Sequence, residues 1–570
     1  MSSPARPILG LVVASLGLTS MACALDVTLT AAAADEVGTE DEGDEASADE
    51  AGTDSSDTDE SGSSTDGEDE GETGRAEPSP LCQVVPGELD APLPCDMPYA
   101  AVSLEPEVQW TWSGNGFEDS VVTTPLVANL DDDNGDGFID LCDTPDVLVA
   151  AVDLPAEKQA VWPKAHLTVI DGATGETSRV FAHGIDGAVN PAIADLDNDG
   201  SPEILALEQY GTNSPYQFAD RHLVAFDAEG NLKWSGEYVA QSRGGGAIAV
   251  ADLDHDGSPE ILAPEYVTDA SGQLLWALDD PPTQYSMPVA ADFDLDGDLE
   301  VLFGGTAYHH DGSLYFDVQG APTNRGSAAV ANFDDDPNPE FYAQHDGAHA
   351  VFDHDGSLIA VCPAHLVMGE AGNPTSIGDL NGDGKAEILF AIGQKVYALR
   401  PNADSCTIAW EKNIDTPGAK GAATVFDLLT DGGAEVLYAD DSQMRLYDQM
   451  GNVVASLPRT ARENIASPVV ADIDGDGGAD MLFASSQPVS SVGEPELPGT
   501  AALTMVSNGQ GAFAPTRRIW NQHAYRGETI REDGRVSSYE ADFEPGNWMD
   551  HNAYRANPGV VGFEQCAPGG

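Results

Sequence analysis

The chain has 570 residues, 98 of them Asp or Glu and 23 Lys or Arg, which gives a formal net charge of −75 at pH 7. A surface of that sign repels nucleic acid and anionic membranes, whose recognition needs clustered Lys and Arg. It suits metal cations and an extracellular setting, and a hydrophobic fraction of 41% still permits a packed core.

The first residues show one Arg, an apolar run from Ile8 to Leu18, then small residues ending in "TSMAC". This reads as an export signal over 1–23, too short to span a membrane. Cys23 after small residues resembles a bacterial lipoprotein processing site, where the Cys is lipidated, although Ser20 stands where Leu is usual. Plain signal-peptidase cleavage is the other reading. Residues 24–80 are almost all Asp, Glu, Ser, Thr, Gly and Ala. They carry too little apolar surface to offset the entropy of ordering, so a disordered, charge-extended linker is predicted.

Residues 81–104 form a Cys-containing lead-in. The six further cysteines, Cys82, Cys95, Cys142, Cys362, Cys406 and Cys566, imply up to three disulfides in an exported chain. Their connectivity is open, with Cys82 to Cys95 locally plausible. No CxxC pair or Cys/His cluster suggests zinc.

From about residue 105 to 510 the chain repeats itself. "ADLDHDGSPEIL" at 251–262 has near-copies at 194–205, 291–302 and 378–389, and the phrase occurs eight times in all, starting near Asn129, Asp195, Asp252, Asp292, Asn332, Asp379, Asp427 and Asp472. A weaker Gly-turned phrase such as "AFDAEGNLKW" follows each. Short apolar runs flank the acidic phrase, so each unit reads as strand, acidic loop, strand, hairpin. Four short strands every 40 to 50 residues with no helical stretch between them predict an all-β fold, a β-propeller of four-stranded blades. Eight phrases give eight blades, or seven if a terminal unit is decorative. "EVQWTW" at 107–112 looks like an outer strand without a blade of its own, able to complete the last blade and latch the ring.

In "DLDHDGSPE" carboxylates fall at positions 1, 3, 5 and 9: Asp252, Asp254, Asp256 and Glu260. Such charges in one tight loop repel. A hard cation with oxygen ligands relieves them, and Ca²⁺ fits better than Mg²⁺, which demands a stricter octahedron. Matching sets are Asp195, Asp197, Asp199 and Glu203; Asp292, Asp294, Asp296 and Glu300; Asp379, Asn381, Asp383 and Glu387; and Asp472, Asp474, Asp476 and Asp480. Three loops depart. The first is longer and offers Asp132, Asn134, Asp136 and Asp140. The fifth keeps Asn332, Asp334, Asp336 and Glu340, but Pro337 replaces the Gly and should distort the turn. The seventh has Leu429 at position 3 and is expected to bind weakly or not at all.

These units resemble the FG-GAP/VCBS repeats of bacterial surface proteins and of the integrin α-subunit head. The resemblance implies several structural Ca²⁺ ions, one per intact blade loop, and an extracellular adhesion role toward an unidentified protein or glycan. The chain is expected to be a monomer, exported to the cell surface or outer membrane or else secreted, touching a membrane only through a lipid on Cys23. Other readings are a lectin or a rhamnogalacturonan-type polysaccharide lyase. A lyase needs a proton-abstracting base and cations for uronates, and Lys and Arg are scarce in the blades. No GxSxG, HExxH or P-loop occurs, so the expectation is a non-enzyme.

The tail, 511–570, concentrates aromatic residues, His and Arg: Trp520, His523, Tyr525 and Arg526 echo Trp548, His551, Tyr554 and Arg555. It is either a recognition patch with Trp stacking on sugars, or a cap over the ring with Arg517 or Arg518 pairing with the acidic surface. The remaining histidines, mostly in hairpin turns, read as surface.

Overall fold

The computed structural model describes residues 82–84, 89–90, 103–154, 164–210, 219–238, 240–242, 245–279, 286–318, 328–334, 336–345, 348–363, 374–414, 421–461, 465–486, 500–527, 529–537 and 552–557. Cys23 and the 24–80 linker lie outside the described residues.

Eight antiparallel blades close into one β-propeller. Each blade opens with a three-residue apolar strand: Leu126–Ala128, Ala192–Ala194, Ala249–Ala251, Val289–Ala291, Ala329–Ala331, Ser376–Gly378, Thr424–Phe426 and Val469–Ala471 in blades 1 to 8. These triplets lie against one another around the axis, and only Ala290 among them is not fully buried. The second strands, such as Glu260–Ala263 and Asp480–Ala484, are also wholly buried, whereas outer strands such as Leu232–Ser235 and Val453–Pro458 are mostly exposed. Burial falling from axis to rim is what blades with two covered faces require. It explains why the inner strands read as unbroken apolar runs rather than alternating ones.

The weaker repeat phrase has a packing role. Trp234 on the outer strand of blade 2 lies under Gly272 in the hairpin of blade 3, where an added Cβ would sit 2.5 Å from the indole; Trp276 meets Gly312 of blade 4 in the same way. Phe181 with Gly230, Trp410 with Gly451 and Trp110 with Gly175 repeat the contact. These five blades, 1, 2, 3, 6 and 8, each clamp an aromatic ring onto the next.

The last pair closes the ring. The strand Pro106–Trp112 pairs antiparallel with Leu503–Asn508 and completes blade 8 from the chain's other end, as "EVQWTW" predicts. Trp110 Nε1 donates to Gly172 O at 2.7 Å, and Trp112 Nε1 donates to Thr177 Oγ1 at 2.8 Å, both in blade 1.

The described part of the tail runs along the axis. Inner strands leave one edge of backbone groups unpaired, a strong demand in a buried setting. Trp520 exchanges both backbone hydrogen bonds with Val127 of blade 1, and Tyr554 does so with Ile377 of blade 6. The Asn521 carbonyl and side chain serve Ile193 of blade 2, and the Gln522 side chain serves Val250 of blade 3. Arg526 reaches Ala290 O in blade 4, Asn552 bonds both backbone groups of Asn332 in blade 5, and Asn557 reaches Val470 O in blade 8. Ala514 accepts from Ala479 and donates to Leu428 O beside blade 7. The tail thus bonds every blade.

Among the described residues two disulfides are present, and their pattern differs from the local pairing considered from sequence. Cys82 joins Cys142 rather than Cys95, because the lead-in folds back onto the long first loop; Cys362 joins Cys406 across the outer strands of blades 5 and 6. Cys95 and Cys566 lie outside the described residues.

Candidate metal centres

In every blade the acidic phrase connects the first strand to the second, so all eight loops emerge on one face of the ring. Blade 3 shows the construction. Asp252 follows the inner strand, and its two oxygens accept the N–H groups of Asp256 at 3.1 Å and Gly257 at 3.0 Å. Asp256 Oδ1 accepts from Ser258 N–H at 2.8 Å. Glu260 opens the second strand, and its Oε2 accepts Leu253 N–H at 2.7 Å. Asp252, Asp254 and Glu260 each bring an oxygen within 4.8 Å of the others; Asp195, Asp197 and Asp199 converge likewise in blade 2, as do Asp292, Asp294 and Asp296 in blade 4. In blade 6 Asp379 accepts from Gly384 N–H and Glu387 from Leu380 N–H, and in blade 8 Asp472 accepts from Gly477 and Asp480 from Ile473.

The backbone turns by two left-handed residues, at positions 4 and 6. His255 has φ 52° and Gly257 φ 86° in blade 3. Position 4 is filled by Asn198, Leu295 and Thr430 in other blades, all with positive φ. The repeat fixes Gly at position 6 alone, so sequence reading missed the first of these bends.

Burial raises these carboxyls. Asp252 and Asp292 are pushed up to about 6, and Glu260, Glu300 and Glu340 up to about 8, with the neighbouring loop carboxylates adding to the effect. Asp472 and Asp480 rise further for the same reason. Oδ1 of Asp292, Oδ1 of Asp472 and Oε1 of Glu340 are buried with no hydrogen-bond partner. A buried carboxylate oxygen without a donor is costly, and a hard cation with oxygen ligands is the partner this chemistry suits. The residues present therefore fit a Ca²⁺ ion.

The loops are not equivalent. In blade 2 the Lys233 ammonium bridges Glu203 Oε1 at 2.5 Å and Asp197 Oδ2 at 3.1 Å. In blade 4 His309 Nδ1 stands 3.0 Å from Glu300 Oε1, and in blade 6 Arg400 Nε donates to Glu387 Oε1 at 2.6 Å. Among the described residues Glu260 of blade 3 has no such cation. In blade 5 Pro337 has no N–H for position 1, and the Asn332 side chain instead donates to Asp336 O. In blade 7 Asp427 keeps its bonds from Asp431 and Gly432, with Leu429 at position 3.

The first loop departs from its predicted set. Asp132 accepts from Gly135, Asp136 and Gly137, and Asn134 accepts from Asp136, as the spacing suggests. Asp140 does not play the part of position 9, since its Oδ1 accepts from Cys142 N–H. That part falls to Asp146, which opens the second strand, accepts Leu130 N–H at 3.1 Å and is pushed up to about 8 by burial. Asp143, 3% exposed, accepts from Asn134 and Asp140 N–H groups and turns inward. The nine extra residues of this loop hide both from a nine-residue template.

The tail offers no recognition patch in its described part. Trp520, His523, Tyr525 and Tyr554 are all at most 1% exposed. Arg517 Nε pairs with Asp90 at 2.6 Å, and Arg518 Nε with Glu532 at 2.8 Å. Trp548 and His551 lie outside the described residues. The expectation that the other histidines are surface residues also needs correction. His354 and His310 sit about one-third exposed in hairpin turns, but His349 is buried at 2%, stacked on Phe390.

A model of the FG-GAP-like repeat family matches residues 427–483, which run from the acidic loop of blade 7 into the second strand of blade 8. No curated protein matches the chain. Among solved structures, the biofilm matrix protein Bap1 of V. cholerae is similar with a TM-score of 0.61 at 19% identity, covering 80% of this chain and 100% of that one. A rhamnogalacturonan lyase of Bacillus licheniformis aligns with a TM-score of 0.43 at 15% identity, over 71% of this chain and 74% of that one. The exotype rhamnogalacturonan lyase YesX gives 0.43 at 13% identity, over 72% and 75%. With its acidic phrase recurring in phase with eight closed blades, the chain is an eight-bladed β-propeller that carries an FG-GAP-like repeat at 427–483.

Proposed function

We propose that this is an exported, calcium-stabilised propeller that acts as a cell-surface binding and adhesion module for a protein or glycan, not as an enzyme. The observation that carries the calcium reading is the recurrence, blade after blade, of buried first and ninth carboxylates, some with an oxygen that no donor meets. When bound, the ion supplies charge neutralisation and oxygen coordination. Asp252, Asp254, Asp256 and Glu260 would hold it in blade 3, and the equivalent residues in blades 2, 4, 6 and 8. Two disulfides suit an oxidising, exported setting, and anchoring through Cys23 would hold the ring at the membrane. The adhesion reading rests on the propeller fold shared with a biofilm matrix protein and on an axis filled by the chain's own tail, which leaves the faces and rim for partners.

The test is thermal unfolding of the chain in millimolar calcium and in EDTA, with bound calcium counted by titration. For a Kd near about 0.1 mM and calcium at about 2 mM, each site contributes about 1.8 kcal/mol. About five ions and a large fall in Tm on chelation are expected. No binding and no shift would defeat the calcium reading. Glycan-array and cell-adhesion assays in calcium test the partner class, and lyase activity on pectic substrates would overturn the non-enzyme reading.

A further inference from the structure

A second kind of ligand set lies away from the acidic loops, where blade 1 meets blade 2. His183 comes from the outer strand of blade 1, Thr177–Asp186; Glu208 and His222 come from Glu203–Tyr210 and Ala219–Phe226 of blade 2, where they are direct cross-strand partners. Their polar atoms converge on one point: Glu208 Oε2 is 3.1 Å from His183 Nε2 and 3.0 Å from His222 Nε2. The His183 ring packs against Phe226 at 5.5 Å, which holds its direction.

Two neutral imidazoles donating to one carboxylate would account for the distances alone. The approach of His183 does not fit that account, because its Nε2 is buried and makes no hydrogen bond despite the nearby oxygen. Nitrogen and oxygen ligands at about 2.0–2.2 Å from a tetrahedral ion stand about 3.3 Å apart, so the two observed His–Glu208 separations need only small shifts. Two imidazoles and one carboxylate select a borderline transition ion rather than calcium. The three residues supply three ligands, which leaves the fourth position of a tetrahedral ion to solvent. Sequence reading could not find this set, because its members lie on three strands and show no local spacing.

We propose that His183, Glu208 and His222 form a binding site for a divalent transition ion of the Zn²⁺ class, with three protein ligands and an open position, bridging blades 1 and 2. It is independent of the calcium loops. The test uses the full chain in millimolar calcium, which keeps those loops out of the measurement, and titrates Co²⁺ as a spectroscopic probe. One equivalent with nitrogen-ligated visible bands, displaced by Zn²⁺, is expected. His183→Ala and the shape-conserving Glu208→Gln should each weaken binding roughly tenfold or more. They should also abolish any rise in Tm caused by Zn²⁺. Absence of the bands in the unaltered chain overturns the site, as does undiminished affinity in Glu208→Gln, which would place the ion elsewhere.

Discussion

Replacing Lys233 by Met should make the ring less stable without calcium and bind calcium more tightly with it. The Lys233 ammonium already stands 2.5 Å from Glu203 Oε1 and 3.1 Å from Asp197 Oδ2, the ninth and third ligands expected in blade 2. A calcium ion held at about 2.4 Å from the same oxygens would lie within about 4 Å of that ammonium. A single and a double charge at about 4 Å repel by about 2 kcal/mol in water-like surroundings and about 8 kcal/mol at an effective dielectric of 20. The Lys233 side chain is one-third exposed and can swing into solvent, so the low end applies. About 2 kcal/mol is roughly a 30-fold gain in calcium affinity at this loop. Without calcium, Met leaves the Glu203 carboxylate, 3% exposed, without its counter-ion, at a cost of about 1–3 kcal/mol. Melting in EDTA and in calcium, with calorimetric titration, reads both effects. Equal losses of Tm in the two conditions, with unchanged calcium affinity, would refute the reasoning.

Gly257→Ala tests the left-handed bend: the new Cβ meets nothing within 4 Å, so the whole cost, about 1–2 kcal/mol, comes from φ +86° and should appear in denaturant unfolding. Removing the Cys362–Cys406 bridge by a double Cys→Ser change frees a span of 44 residues and should lower stability by about 4 kcal/mol on the loop-entropy account, measured as the change in denaturant midpoint against the unaltered chain. Acidity should act in opposite directions with and without calcium. Glu260, Glu300 and Glu340 titrate near 8 in the fold against about 4.3 unfolded, so the folded state holds protons that the unfolded chain releases. In EDTA that contribution is fully present below about pH 4 and is lost as pH rises through 8. With calcium, deprotonation admits the ion and stability should rise over the same interval. Parallel Tm curves from pH 5 to 9 in EDTA and calcium would refute it.

The sequence carries the blades because each structural need in a blade leaves a residue type at a fixed place. Glu260 and its equivalents open the second strand and bond back to position 2, the apolar triplets mark the axis, and Trp234 or Trp276 marks the rim. The Pro106–Trp112 latch was legible for the same reason, since its Trp110 is a rim aromatic ahead of any blade. What escaped lacks a period. Asp146 and Asp143 are displaced by the longer first loop, Cys142 finds Cys82 only after the lead-in folds back, and His183, Glu208 and His222 meet only across two blades.

The tail shows why composition alone could not decide between a recognition patch and a cap. Trp, Tyr, His and Arg in a mostly acidic chain suggest a recognition surface, yet Trp520, Arg517 and Arg555 are among its most buried large side chains. Eight inner strands present unpaired backbone groups to one narrow axis, and no regular strand can pair with all of them at once. An irregular segment can, if it carries amides and guanidinium groups long enough to reach successive blades: Asn521, Gln522, Arg526, Asn552 and Asn557 do this in turn. The described tail residues that look made for a ligand are instead consumed in bonding the blades to one another.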